Sequence, residues 1–158
     1  EAFDVAYRST VTAAFEAMRG AERALEAAAA VTGHASVVNI ATMYGRVAPD
    51  PRIYGTSGLN SPPAYGPAKA GLLQLTRHMA AHWGPKAIRV NAVLPGPFPS
   101  PSIQAAKPAF AKALAEKTML GRIGAPEEIA GSVVFLAGDA ARFVTGAEIA
   151  VDGGWTAW

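Results

Sequence analysis

The segment Ser36-Val37-Val38-Asn39-Ile40-Ala41-Thr42 has the pattern of a buried β-strand that ends in a hydroxyl side chain. Its β-branched residues, between Val37 and Ile40, are typical of a strand in a parallel sheet whose two faces are both covered. Two further strands are predicted downstream, at Ile88 to Leu94 and at Ala147 to Val151. We therefore predict an α/β fold in which strands near residues 36–41, 88–94 and 147–151 lie parallel and adjacent.

Helical patterns separate these strands. Residues 2 to 30 are rich in alanine and repeat apolar side chains at helical spacing, with Gly20 as an expected weak point. A second helix is predicted from Tyr65 to Trp83. One short helix is predicted for residues 101 to 118, and another after Pro126, where two glutamates favour a helix N-terminus.

The second helix begins with Tyr65-Gly66-Pro67-Ala68-Lys69. Residues four apart share one face of a helix, so the Lys69 ammonium can lie beside the Tyr65 phenol and favour its ionised form. A tyrosine in this setting can donate or accept a proton near neutral pH. Taken alone, the same spacing also fits an ordinary surface pair.

The composition is that of one globular domain spanning residues 1–158. Apolar residues make up 51% of the chain and charged residues 16%, which supplies enough apolar mass for a core. The net charge of +2 is small, so we expect no nucleic-acid partner. No apolar run approaches the ~20 residues of a membrane span, so we expect no membrane partner. The absence of cysteine excludes disulfides and thiolate metal sites and agrees with a cytoplasmic protein.

Several segments occur together in an order that resembles the short-chain dehydrogenase/reductase family. They are residues 36–42, the Tyr65 and Lys69 pair, Ile88 to Gly96, Leu120 to Ala130, Thr145-Gly146 and Val151-Asp152-Gly153-Gly154. The resemblance extends from about Phe3 to Trp155. It implies an NAD(P)-dependent oxidoreductase on a three-layer Rossmann-type sheet, which acts on a small-molecule alcohol or carbonyl substrate and forms a homo-oligomer.

The resemblance also implies roles for individual residues. Tyr65 corresponds to the general acid/base, and Lys69 to the residue that lowers the tyrosine pKa and holds the nicotinamide ribose. Thr42 stands where the family has a serine that hydrogen-bonds the substrate oxygen, and Thr10 where it has an asparagine that helps to hold a proton-relay water. Both threonines are departures that keep a hydroxyl, although the β-branch restricts the rotamer of Thr42. Thr42 can alternatively be a threonine that simply ends a strand.

The turn after the second strand is the implied nicotinamide site. In the family the Pro95-Gly96 turn contacts the nicotinamide, and Ser100 stands closest to a threonine that bonds the carboxamide or a phosphate. The resemblance thus implies that NAD or NADP is contacted by Tyr65, Lys69, Pro95, Gly96, Phe98 and Ser100. No metal site is expected.

The glycine-rich loop that holds the cofactor pyrophosphate in the family is not found in this sequence. The sequence therefore resembles the C-terminal part of a family member, and we expect a partial sheet made of the last three strands with their helices. A fragment, a truncated gene product and one chain of a two-chain enzyme all agree with this pattern. By itself the chain is expected to turn over slowly and to self-associate.

The segment from Arg46 to Pro63 lacks helical or strand periodicity and is longer than the family commonly has here. It predicts an ordered insertion beside the mouth of the active site, where loops shape substrate pockets. Polar side chains that could contact a polar or anionic substrate there are Arg46, Arg52, Tyr44, Tyr54 and Asn60. A solvated loop that merely lengthened is the alternative.

Two other functions stay open at this point. An inactive family remnant that acts as an oligomerisation or interaction module would explain the missing glycine loop and the two threonines. A metal-dependent hydrolase would use His78 and His82, which lie four residues apart on a predicted helix. No third ligand is evident nearby, so a pair of surface histidines is the simpler interpretation.

Overall fold

A computed structural model describes all residues, 1–158. Its three β-strands are Ala35–Ile40 (β1), Ile88–Pro95 (β2) and Glu148–Val151 (β3). Its six α-helices are Ala2–Tyr7 (α1), Ala13–Thr32 (α2), Tyr65–Trp83 (α3), Pro101–Ala106 (α4), Pro108–Lys117 (α5) and Glu127–Ala137 (α6). Each predicted strand is observed, displaced by one residue at most.

The strands form one parallel sheet in the order β1-β2-β3. Val37 of β1 is opposite Val90 of β2, and Val93 of β2 is opposite Ile149 of β3. β2 is the central strand, and every residue from Ile88 to Leu94 is buried. These observations confirm the predicted α/β fold with parallel, adjacent strands.

Helices cover both faces of the sheet. Successive residues of a strand point to opposite faces, and the side chains of β2 pack against helices on both faces. Val90 packs in a cluster with Met18 of α2 and Met79 of α3. Val93 packs instead in a cluster with Leu136 of α6. The molecule therefore has three layers, with α2 and α3 on one face and α6 on the other, as the Rossmann-type prediction requires.

The first helical segment differs from the prediction in one respect. A π-helical turn at Arg8–Thr12 joins α1 to α2, whereas Gly20, the expected weak point, lies in regular α-helix. Four of the five residues of this turn, Ser9 to Thr12, are Ser, Thr or Val, and they form α-helix less readily than the alanines around it. The Ser9 hydroxyl donates to the carbonyl oxygen of Val5 at 2.8 Å.

The segment 101 to 118 is two helices rather than one. Lys107 separates α4 from α5 with φ of −134° and ψ of 60°. The following Pro108 disfavours helical geometry in the residue before it, which explains the break.

Candidate active site

The carboxyl ends of the three strands meet at one edge of the sheet, where open parallel sheets bind their ligands. Thr42 lies two residues after β1, Pro95-Gly96 closes β2, and Asp152 follows β3. The Asp152 carboxylate is buried and accepts the N–H groups of Gly154 at 2.9 Å and Thr156 at 3.0 Å. Asp152 therefore fixes the last turn of this edge.

The first turn of α3 packs closely against the 3₁₀ turn Met43–Gly45, which follows β1. A Cβ atom on Gly66 would lie 2.9 Å from the carbonyl oxygen of Tyr44, and one on Gly45 would lie 3.2 Å from the carbonyl carbon of Lys69. These distances leave little or no room for a side chain at either glycine. The two glycines thus allow the start of α3 to approach the backbone that follows Thr42.

The Lys69 ammonium joins α3 to the end of β1. Its Nζ donates a hydrogen bond of 2.9 Å to the carbonyl oxygen of Ile40. An ammonium has three N–H donors, so two remain for other acceptors. The side chain is half-buried, and this burial lowers the pKa of Lys69 because desolvation disfavours the charged form.

Tyr65 and Thr42 differ in their exposure. Tyr65 is 40% exposed at the start of α3, whereas Thr42 is buried. The Thr42 hydroxyl oxygen accepts the N–H of Tyr44 at 3.4 Å and so caps the 3₁₀ turn. The hydroxyl proton of Thr42 remains able to donate to a further acceptor. The capping role is observed, and the substrate role of Thr42 stays a prediction.

The π-helical turn brings Thr10 to the segment that packs on α3. The Tyr7 hydroxyl donates to the carbonyl oxygen of Pro67 at 3.3 Å. On the other side of Thr10, a Cβ atom on Gly71 would lie 3.0 Å from Cγ2 of Val11. Thr10 itself is half-buried. π turns occur frequently at functional sites, which agrees with a role for Thr10 in holding water, but that role stays a prediction.

Two residues that the resemblance places at the nicotinamide, Gly96 and Ser100, also have structural roles. A Cβ atom on Gly96 would lie 2.5 Å from Cα of Asp152, so packing alone requires glycine there. Ser100 caps α4, because its Oγ accepts the N–H of Ile103 at 3.4 Å and lies 2.9 Å from Oγ of Ser102. A cofactor contact from Ser100 would have to share this hydroxyl.

Phe98 packs against the segment that precedes α6. Its ring contacts Gly124, where a Cβ atom would come within 2.2 Å of the ring. Phe98 also lines a cavity of about 360 Å³ together with Thr118, Arg122 and Gly153. Tyr65, Lys69 and Thr42 are not among the residues that line this cavity. Packing against Gly124 is the observed role of Phe98, and its contact with the cofactor stays a prediction.

Arg46, at the start of the insertion, is held by a carboxylate that sequence reasoning missed. Its Nη2 donates to Oε2 of Glu148 at 2.8 Å, and its Nε donates to the same oxygen at 3.2 Å. The Glu148 side chain is 7% exposed and also pairs with Arg77 of α3. No local pattern reveals this cluster, because Glu148 is 102 residues from Arg46 and 71 residues from Arg77.

Arg52, further along the insertion, is also paired. Asp50 accepts from Nη2 of Arg52 at 2.7 Å and lies 3.3 Å from Nζ of Lys117 in α5. These two cations hold the pKa of the Asp50 carboxyl well below its usual range. The two arginines that could have received an anionic substrate are therefore both engaged with carboxylates, and Asn60 is exposed on the loop.

Two tyrosines of this region meet through their hydroxyl groups. The Oη atoms of Tyr44 and Tyr54 are 3.5 Å apart. The Tyr44 ring packs edge-on against Trp155, with centroids 6.4 Å apart, and the Tyr54 ring stacks on Phe110 of α5 at 5.6 Å. Burial and the hydrogen bond to Tyr54 raise the pKa of Tyr44 well above its usual range. Tyr44 consequently keeps its phenolic proton.

The remaining candidate groups lie outside this edge. The rings of His78 and His82 stack with centroids 6.4 Å apart. No group of three or more His, Asp or Glu side chains is arranged to hold a metal ion. None of the helices combines the length and the apolar character that crossing a bilayer requires.

Comparison with known proteins gives matches along nearly the whole chain. A family model described as enoyl-(acyl carrier protein) reductase matches residues 1–156. The chain is 34% identical over 160 residues to a galactitol 2-dehydrogenase (L-tagatose-forming) of Cereibacter sphaeroides, which aligns 100% of this chain with 60% of that protein. It is 41% identical to a cis-4-hydroxycyclohexanecarboxylate dehydrogenase of Sinomonas cyclohexanicum, over 79% of this chain and 46% of that protein.

A solved structure shows the same arrangement of elements. The Pseudomonas aeruginosa RhlG/NADP active-site complex matches with a TM-score of 0.81 and 33% identity, covering 94% of this chain and 56% of that chain. The chain thus spans about half the length of the relatives that it matches.

Proposed function

Because this chain belongs to the short-chain dehydrogenase/reductase family, we propose that it carries the proton-transfer residues of an NAD(P)-dependent oxidoreductase. The reaction interconverts a small-molecule alcohol and its carbonyl compound. Tyr65 is the general acid/base, Lys69 is its electrostatic partner, and Thr42 donates a hydrogen bond to the substrate oxygen.

One observation carries this proposal, namely the junction between α3 and the end of β1. Lys69 donates to Ile40 at 2.9 Å, two residues before Thr42. Gly66 approaches the backbone of Tyr44, two residues after Thr42. The first turn of α3 is therefore fixed on both sides of Thr42, despite the long insertion between Thr42 and Tyr65.

The side chains at this junction suit proton transfer. The exposed phenol of Tyr65 accepts the substrate proton in the oxidation and returns it in the reduction. Lys69 lies one helical turn after Tyr65 on α3, and its half-buried ammonium is the positive charge proposed to assist the proton transfer. The Thr42 oxygen already accepts the Tyr44 N–H, which leaves the hydroxyl proton to orient the substrate oxygen.

The residues at this edge fit the nicotinamide end of NAD or NADP. Lys69 keeps two N–H donors for the hydroxyls of a ribose. The Pro95-Gly96 turn lies at the same edge of the sheet, at the end of the neighbouring strand. When bound, the nicotinamide cofactor supplies or accepts the hydride of the reaction.

We also infer that the protein assembles with further copies of itself. Large apolar side chains are exposed on the first helical segment and around α6, namely Phe3, Val5, Phe15, Val134, Phe135 and Phe143. Exposed apolar side chains in such number favour burial against another surface. Sedimentation velocity of the intact protein that carries this chain should show a species heavier than one copy. A single-copy species at micromolar concentration would contradict the inference.

The proposed chemistry is tested by substituting Tyr65 and Lys69 in the intact protein that carries this chain. Tyr65→Phe removes the transferable proton and should lower kcat by about 10²- to 10⁴-fold in alcohol-dependent reduction of NAD⁺ or NADP⁺. Lys69→Met should lower kcat and also weaken cofactor binding. Lys112→Met, on the exposed face of α5, is the matched control and should leave both unchanged.

The cofactor dissociation constant separates chemistry from binding in this test. Tyr65→Phe should leave it nearly unchanged, because little binding surface is lost. Turnover by Tyr65→Phe at the wild-type rate would overturn the proposal.

A further inference from the structure

The site described above adjoins a pair of phenols that the proposed chemistry does not use. Tyr44 is the second residue after Thr42, and its N–H donates to the Thr42 hydroxyl. Its carbonyl oxygen faces Gly66, the residue next to Tyr65. Tyr44 is thus connected through its backbone to both residues that would hold the reacting oxygen of a substrate.

Aromatic packing holds both phenols, and both side chains are partly exposed. The Tyr44 ring rests on Trp155 and the Tyr54 ring on Phe110. Their oxygen atoms are 3.5 Å apart, which is long for a hydrogen bond between hydroxyls. Each phenol can both donate and accept a hydrogen bond, and the bond between the two is weak. The pair can therefore form hydrogen bonds with a further hydroxyl group.

The charges around the pair favour a neutral group over an anion. Arg46 is paired with Glu148, and Arg52 is paired with Asp50. Lys117, on the neighbouring helix, also faces Asp50. The nearby cations therefore have carboxylate partners, while the phenols offer neutral hydrogen bonds.

Resting on the function proposed above, we propose that Tyr44 and Tyr54 form a subsite for a second hydroxyl group of the substrate, on the carbon next to the reacting one. The protein would then act on diols and polyols, and on the corresponding hydroxyketones, in preference to simple alcohols. The insertion contributes Tyr54 to this subsite, which gives the extra loop length a role in substrate selection.

The test uses two probes that differ by one hydroxyl group, cis-1,2-cyclohexanediol and cyclohexanol. Their dissociation constants are measured by saturation-transfer NMR with the intact protein that carries this chain, in the presence of NAD⁺ or NADP⁺. The same measurement is made on Tyr44→Phe and Tyr54→Phe, which keep the aromatic packing and remove one hydroxyl each. Far-UV circular dichroism confirms that each variant is folded.

We expect the diol to bind about tenfold more tightly than cyclohexanol to the wild type. Each phenylalanine variant should reduce this ratio by about three- to tenfold, through weaker diol binding and with unchanged cyclohexanol binding. Equal affinity for the two probes in the wild type, or a ratio that neither variant changes, would overturn the subsite.

Adding Tyr65→Phe to the series separates this inference from the function on which it rests. If Tyr65→Phe still oxidises either probe at the wild-type rate, the proposed function fails whatever the binding ratios are. If turnover depends on Tyr65 but the ratio is insensitive to both phenols, only the subsite fails. The binding measurement needs no turnover, so it decides the subsite even for a probe that is not oxidised.

Discussion

β2 and the insertion 46–63 both border the candidate active site, yet different forces hold them in place. β2 is central in the sheet and buried from Ile88 to Leu94, so apolar packing on two faces fixes it. The insertion is tied to the rest of the chain by carboxylate pairs and by stacked aromatic rings. The scaffold of the site therefore rests on burial, whereas the wall that would select the substrate adds polar pairs between distant residues to a small apolar cluster around Ile53.

The largest expected effect comes from emptying part of the core around β2. Ile88→Ala removes a fully buried side chain and should lower the free energy of unfolding by about 2–5 kcal/mol, because the cavity left behind relaxes only in part. Urea denaturation followed by circular dichroism measures this loss. Val31→Ala, at a position 86% exposed, is the control and should change the free energy of unfolding by less than about 0.5 kcal/mol. Equal losses of stability in the two variants would contradict the conclusion that apolar burial holds β2 in place.

A smaller effect is expected at the junction where α3 meets the turn after β1. Gly66→Ala places a methyl group 2.9 Å from the carbonyl oxygen of Tyr44 and should lower the free energy of unfolding by about 1–3 kcal/mol. Gly20→Ala is the matched control, since it lies within α2 with no neighbour inside 4 Å. That control should gain about 0.5–1 kcal/mol from the higher helix propensity of alanine. The midpoints of thermal unfolding of the two variants should shift in opposite directions. A higher midpoint for Gly66→Ala would show that the junction is loosely packed.

Removing the charge of Glu148, which holds the start of the insertion, should lower the free energy of unfolding less than Ile88→Ala or Gly66→Ala does. Glu148→Gln leaves the shape of the side chain but removes the charge that Arg46 and Arg77 share. Because both arginines are about half exposed, we expect a loss of about 1–2 kcal/mol in the free energy of unfolding. Hydrogen exchange should rise at residues 43–48, while exchange in β2 stays slow. Uniform exchange changes in both regions would mean that Glu148 supports the sheet rather than the insertion.

The smallest effect should be a pH dependence confined to the insertion. The pKa of Asp50 is lowered from its ordinary 3.8 by Arg52 and Lys117, so the stabilisation from its ion pairs is complete above pH 3.8 and declines as the pH falls from there towards the lowered pKa. Amide exchange in residues 50–55 should therefore accelerate in acid more than exchange in β2. Asp50→Asn should remove most of this difference, because the amide oxygen can still accept the backbone N–H of Arg52, as the carboxylate does at 3.0 Å, and carries no charge. A loop that is equally protected on both sides of pH 3.8 would count against the ion pairs as its anchor.

The same contrast explains what the sequence could predict. The strands and α3 were predictable because their apolar residues repeat with the local period of a buried strand or a helix face. The break at Lys107 has a local signal in the sequence, because Pro108 follows it. The π-helical turn had only the weak signal of several poor helix formers in a row.

The candidate site was only partly predictable for the same reason. Tyr65 and Lys69 share one helix, so their spacing alone predicts that they lie one turn apart on the same face. Glu148 could not be assigned to Arg46 and Arg77, because nothing local to the chain links residues so far apart. The Tyr44 and Tyr54 pair likewise depends on how the insertion folds back, which the stacking of Tyr54 on Phe110 determines.

The most direct test of the proposed active site is a crystal structure of the intact protein that carries this chain, with NAD or NADP and an alcohol bound. We expect the Oη of Tyr65 and the Oγ1 of Thr42 both to lie about 2.5–3.0 Å from the alcohol oxygen, with Nζ of Lys69 on the nicotinamide ribose. An alcohol bound to Tyr65 while the Thr42 hydroxyl remains directed elsewhere would remove Thr42 from the mechanism. An alcohol bound away from Tyr65 would contradict the assignment of the site itself.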